Sequence, residues 1–137
     1  MEMNLEKINA VQRMQDYIMK NYRNEISLKE LAVAAAYSPW HAIRAFSELT
    51  GKTPFAYIRD IRLTAAAKEL RDTKTRILDV ALSSAFGSYE GFSKAFSRKF
   101  GLSPTQYRNT TPPIQFFTYY PIKNYDSVDY ITISLRK

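Results

Sequence analysis

Two sets of side chains, fifty positions apart, carry most of the chemistry in this sequence: Trp40, Ile43 and Arg44, then Tyr89, Glu90 and Lys94. Trp40 precedes Arg44 by four residues, as Glu90 precedes Lys94, so each pair shares one face if the chain is helical there. A guanidinium is a planar fork of donors that matches the O6 and N7 acceptors of guanine, and that pairing contributes about 1–3 kcal/mol against a wrong base. Tryptophan offers an apolar face to thymine methyls, a carboxylate accepts from the cytosine amino group, and an ammonium reaches guanine or phosphate. Plainer alternatives stand beside these. Trp40 is also a candidate core residue, Ile43 divides evenly between core and groove, and Glu90 with Lys94 also reads as a solvated ion pair.

Few other chemistries are open. His41 is the single histidine and there is no cysteine. A zinc site of the usual ligand count, a thiolate nucleophile and a disulfide are therefore excluded. A Ser-His-Asp arrangement would have to use His41, which stands beside Trp40 and reads as a helix-surface residue. With four glycines, the chain has no G-x-G-x-x-G or G-x-x-x-x-G-K cradle for phosphates. The expectation is a non-enzyme with no cofactor and no metal.

The partner is suggested by charge. Twenty Lys and Arg against thirteen Asp and Glu leave a net charge of +7 and a pI near 9.6, which favours a polyanion. Hydrophobic residues make up 45% of the 137 positions, enough for a folded core. No signal-peptide pattern opens the chain, and no apolar run approaches about eighteen residues. The expectation is a soluble, cytoplasmic protein without a membrane partner.

The elements that would position these residues can be read from periodicity. Leu5, Ile8, Val11, Met14, Ile18 and Tyr22 recur every three or four residues and predict an amphipathic first helix. Ser27 with Glu30 is a capping-box pattern that opens a short helix through Leu28, Leu31, Ala32 and Ala35. A turn is expected at Ala36 and Tyr37. Ser38-Pro39 then restarts a helix through Trp40, Ile43, Phe46 and Leu49 that stops at Gly51. Thr53-Pro54 repeats that start for a longer helix over 54–71, with Phe55, Ile58, Ile61, Ala65, Ala66 and Leu70 on one stripe.

The short-helix pattern then returns. Leu28, Glu30, Leu31, Ala32 and Tyr37 match Ile77, Asp79, Val80, Ala81 and Phe86 at an offset of 49. One residue is added in the turn, after which Ile43, Arg44, Ala45, Phe46, Gly51, Pro54 and Tyr57 match Ser93, Lys94, Ala95, Phe96, Gly101, Pro104 and Tyr107 at an offset of 50. The unit is duplicated. Two short helices joined by a tight turn, the second carrying exposed basic and aromatic residues, form a helix-turn-helix. Ala32 and Ala81 would let the paired helices approach closely. A generic helical bundle obeys the same packing rules but does not require a cation placed twice at one offset. Two other classes remain: a sensing or protein-docking module, and an architectural nucleic-acid binder whose affinity follows charge alone.

From residue 26 to 108 the sequence resembles the AraC/XylS-type DNA-binding domain, in its MarA/SoxS/Rob-like subset. The resemblance rests on L-K-E-L-A-V-A-A-A-Y-S-P-W-H-A-I-R-A-F (28–46), T-G-K-T-P-F-A-Y-I-R (50–59), I-L-D-V-A-L-S-S-A-F-G-S-Y-E-G-F-S-K-A-F (77–96) and F-G-L-S-P-T-Q-Y-R (100–108). It implies an all-α fold: two helix-turn-helix subdomains joined by a long linker helix, with a C-terminal extended tail. Residues 1–109 would hold the DNA-binding domain, divided into 1–53, the linker 54–71 and 72–109. Recognition helices are expected over 38–50 and 88–100, in major-groove segments about 34 Å apart on one duplex. Base contacts are expected from Trp40, Ile43, Arg44, Tyr89, Glu90 and Lys94. Phosphate contacts are expected from Ser38, Thr53 and Ser88, with Arg59, Arg98 and Lys99. Arg62, Lys68, Arg71 and Lys74 divide evenly between such contacts and a solvated face. An activator of this bacterial-type family would also engage RNA polymerase. Family members usually place Gly where this chain has Ala36 and Ala85, so those turns either bear strain or adopt another geometry.

Residues 110–137 differ in character. Pro112, Pro113, Phe116, Phe117, Tyr119, Tyr120, Pro121 and Tyr125 lack helical period, and the prolines favour extended backbone. The stretch 130–135 alternates as a strand does. Such P-P-I…Y-P-I segments resemble the start of a GyrI-like C-terminal domain. That likeness implies a truncated or short form, whose tail packs on itself or on a second copy, and a small-molecule ligand only through a missing domain.

Overall fold

The computed structural model describes residues 4–124. Seven α-helices follow in order: α1 (Leu5–Asn21), α2 (Leu28–Ala35), α3 (Pro39–Thr50), α4 (Pro54–Asp72), α5 (Ile77–Ser83), α6 (Tyr89–Phe100) and α7 (Pro104–Thr110). A 3-10 turn over Ile122–Asn124 ends the described chain, and no strand occurs among the described residues. The expected strand over 130–135 lies outside them. The all-α expectation holds.

The chain divides into two compact units. The first holds Ile26–Ala56 with the described residues up to Asn21 and from Tyr119; the second holds Tyr22–Glu25 and Tyr57–Thr118. In the first unit α1, α2 and α3 pack on one another. Ile8, Val11, Met14 and Ile18 of α1 are buried, with Leu31, Ala32 and Ala35 of α2 and Ala42, Ala45, Phe46 and Leu49 of α3. Leu5, expected on the apolar face, is exposed instead. The Ser27 capping box forms, and Ser27 and Glu30 satisfy each other's backbone N–H.

In the second unit Leu63, Ala66, Ala67, Leu70, Val80, Ala81, Phe92, Phe96 and Tyr107 form one apolar cluster. Aromatic rings run through it, with Phe96 5.6 Å from Phe92, 4.7 Å from Phe100 and 5.8 Å from Tyr107 between centroids. The α4 stripe was expected too narrow. Tyr57, Ile58, Ile61, Leu63, Ala66, Ala67 and Leu70 are all buried while Phe55 is 42% exposed. A helix covered around most of its circumference has no single apolar stripe for periodicity to find.

Three arginines satisfy the carbonyls left open at helix C-termini. Arg13 donates to Ala34 O and Ala35 O, each at 2.9 Å, at the end of α2. Arg62 donates to Tyr22 O at 2.8 Å and Asn24 O at 2.7 Å, just past α1, and Arg108 donates to Leu70 O at 3.1 Å near the end of α4. Burial holds the Arg62 guanidinium below its ordinary pKa. Arg62 is thus a structural cap and not part of a solvated face, so the net charge overstates what remains for a polyanion.

Residues 111–124 pack back on the helices. Ile114 and Phe116 pack against the second cluster. Lys68 Nζ and the Arg71 guanidinium each lie 5.6 Å from the Phe116 ring centroid. The Phe117 N–H donates to Thr64 Oγ1 at 2.8 Å. Further on, two buried glutamines of α1 take over. Gln15 Nε2 donates to Tyr120 O at 3.0 Å while its Oε1 accepts from the Ile122 N–H at 2.9 Å. Gln12 accepts from the Lys123 N–H at 2.9 Å and donates to the Tyr119 hydroxyl at 3.0 Å. The backbone of residues 119–123 is held by side-chain amides, with no partner strand among the described residues.

Candidate nucleic-acid interface

Each unit presents the same local device. In the first, Ser38 caps α3 by accepting from the His41 N–H at 3.3 Å, and Pro39 occupies the first turn, where its missing N–H costs nothing. In the second, Ser88 caps α6 by accepting from the Gly91 N–H at 3.0 Å. Ala42, Ala45, Phe46 and Leu49 turn one face of α3 inward, and Phe92 and Phe96 do so for α6. Because the buried face is fixed, Trp40 and Arg44 on α3 and Tyr89, Glu90 and Lys94 on α6 face solvent.

Trp40 is 68% exposed, which removes the core alternative. An indole of that size left in water on a helix start is costly without a partner. Ile43 is half-buried and serves packing and surface together. Arg44 stays close to Trp40, its guanidinium carbon 5.1 Å from the ring centroid. Among the described residues no ion pair joins Glu90 to Lys94, so the solvated-pair alternative does not form. His41 stacks on Tyr37 with centroids 3.9 Å apart, an exposed structural contact.

The expected phosphate contacts separate into two groups. Ser38 and Ser88 sit at helix starts, where open N–H groups and the helix dipole favour an anion. Thr53 accepts from the Ala56 N–H at 3.3 Å at the start of α4. Arg59 and Arg98 are exposed. Lys99 differs: its ammonium lies 3.1 Å from the Asp60 carboxylate, whose side chain is only 11% exposed. Lys99 is exposed yet ion-paired to Asp60.

Each turn preceding these helices is closed left-handed by an alanine, Ala36 at φ 58° and Ala85 at φ 64°. The Ala36 N–H bonds Val33 O at 3.1 Å and the Tyr37 N–H bonds Ala32 O at 3.0 Å; Ala85 to Leu82 and Phe86 to Ala81 repeat this at 3.2 and 3.0 Å. This is the paired closure that glycine usually makes. Sequence reasoning missed the acid beside Arg44: Glu48 accepts from Arg44 Nε at 3.2 Å. The four-residue spacing was the available signal.

Two capped helices, each following a tight turn and each baring aromatic and charged side chains, define a helix-turn-helix protein. A family model described as a helix-turn-helix domain matches residues 31–110. The transcriptional activator AarP of Providencia stuartii is 38% identical over 92 residues, covering 67% of this chain and 68% of AarP. The transcriptional regulator Rob of Salmonella typhimurium is 42% identical over 86 residues, covering 63% of this chain but 30% of Rob. This chain thus spans less than a third of that relative. A solved structure of a probable AraC family transcriptional regulator from Rhodopseudomonas palustris superimposes with a TM-score of 0.69 at 28% identity, over 77% of this chain and 99% of that one. The chain belongs to the AraC-type helix-turn-helix family of DNA-binding transcription regulators. No helix among its described residues is long and apolar enough to cross a membrane.

Proposed function

We propose that this protein regulates transcription by seating α3 and α6 in successive major-groove segments of one asymmetric DNA site. One observation carries this reading: the duplicated Ser-capped helix bares Trp40 and Arg44 in one copy and Tyr89, Glu90 and Lys94 in the other. With both heads in one chain, a single copy reads two different half-sites about 34 Å apart along the duplex. Arg44 is assigned to guanine and Trp40 to thymine methyls, with Ile43 against the groove wall. Glu90 is assigned to a cytosine amino group, Lys94 to guanine or phosphate, and Tyr89 to the edge of the same segment. Ser38, Thr53, Ser88, Arg59 and Arg98 set the register on phosphates. Lys99 is left out because Asp60 holds it. AarP is named an activator, and activation would add RNA polymerase as a second partner.

The test is selection of bound duplexes from a random pool, repeated with Arg44→Ala and Lys94→Ala. An asymmetric motif spanning about two helical turns is expected, with each variant relaxing a different half. Pools without enrichment, or variants that weaken every sequence alike, would leave only charge-driven binding and end this reading.

A further inference from the structure

Arg44 has a partner on each side. Arg44 Nε donates to Glu48 Oε1 at 3.2 Å, one turn along α3, and the guanidinium lies beside the Trp40 ring. Glu48 is itself tied down, since its other oxygen, Oε2, takes the ammonium of Lys7 from α1. Among the described residues no acceptor engages the two terminal nitrogens of Arg44, which remain as a fork. An acid in this position is unexpected, because a carboxylate beside a DNA-reading cation repels the polyanion. Lys7 offsets that charge, and its hydrogen bond is the main reason the Glu48 carboxyl is held below its ordinary pKa.

We propose that Glu48 is a specificity-determining positioning residue: anchored by Lys7, it fixes the Arg44 fork beside Trp40 in the orientation that reads one base pair. The inference rests on the base-reading role proposed above for Arg44. A long side chain placed before binding loses less rotamer freedom on contact, and a fork fixed in one plane accepts fewer alternative base edges. The duplication gives an internal contrast. At the offset of fifty Glu48 corresponds to Arg98, so Lys94 lacks such an anchor. The half-site under α3 is therefore read more sharply than the half-site under α6.

The experiment measures binding of full-length protein to the selected duplex and to duplexes changed at the one base pair that Arg44→Ala relaxes. Glu48→Ala is expected to reduce discrimination at that base pair about five- to tenfold, toward the lower end of a bidentate contact, and to leave the α6 half-site unaltered. Glu48→Gln keeps an acceptor for Nε but loses the one that holds Lys7, and is expected to fall between the wild type and Glu48→Ala in discrimination. In an Arg44→Ala background the Glu48 change should have no further positional effect. If Glu48→Ala tightens binding to all duplexes alike with discrimination intact, Glu48 is only a solvated charge and the proposal is overturned. If Arg44→Ala relaxes no base pair at all, the base-reading assignment itself has failed, a result separable from the first.

Discussion

Ala36 and Ala85 occupy the same left-handed conformation, at φ 58° and φ 64°, in the two copies of one turn. Each closes its helix with the same pair of hydrogen bonds, so the strain was kept while glycine, the residue that would relieve it, is absent from both. The left-handed region costs an alanine roughly 1–2 kcal/mol, whereas glycine pays instead about 0.5–1 kcal/mol of backbone entropy.

Ala36→Gly and Ala85→Gly are each expected to stabilise the fold by about 0.5–1 kcal/mol, the difference between those two terms. Thermal unfolding would show a rise of roughly a few degrees in Tm per substitution. A fall in Tm would mean that the alanine methyls are packed well enough to outweigh the strain.

Lys99, ion-paired to Asp60, should separate from Arg59 and Arg98 in salt titrations. Arg59→Ala and Arg98→Ala are each expected to lower the slope of log Kd against log salt by about 1, with selectivity among sequences unchanged. Lys99→Ala should leave that slope nearly alone. Its cost should fall on stability, about 1 kcal/mol after allowing for solvent screening, because Asp60 loses a partner. A slope change for Lys99→Ala equal to that of Arg59→Ala would place Lys99 on the DNA after all.

Gln15 is 1% exposed and serves both a carbonyl and an N–H of the returning segment. Gln15→Leu keeps the volume but leaves those two backbone groups without the amide, at an expected cost of about 1–3 kcal/mol. Hydrogen exchange at the Ile122 amide reads this directly. Unchanged protection there would show that the segment is held by its aromatics and not by the amide.

Burial raises the pKa of Tyr107 and of Tyr37, the latter also through its hydrogen bond to Glu6. A group whose pKa is raised on folding contributes stability below its unfolded value, here about 10, and loses it as the pH climbs through the folded value. The protein is therefore expected to lose stability above about pH 10. Tyr107→Phe and Tyr37→Phe should each flatten that decline, as followed by chemical denaturation at stepped pH. A decline as steep in both variants would assign the alkaline loss to other groups.

Much of this molecule is legible locally. The caps at Ser27, Ser38 and Ser88, the proline after Ser38 and the two stops at Gly51 and Gly101 depend on residues within one turn, so the helix boundaries could be read directly. The duplication at offsets of 49 and 50 also survives in one dimension, and it brought Trp40, Arg44, Glu90 and Lys94 forward as candidates. Only tertiary packing could decide which faces stay wet. Trp40 is bared because Ala42, Ala45 and Phe46 take the inward side of α3, and an indole reads the same in sequence whether it faces core or solvent. Packing also divided the cations, giving Arg13, Arg62 and Arg108 to helix ends and Lys99 to Asp60, while Arg59 and Arg98 were left exposed. Composition counts all these charges alike. Their partners lie between 21 and 40 residues away in the chain, beyond the reach of any local pattern, and only folding brings them together.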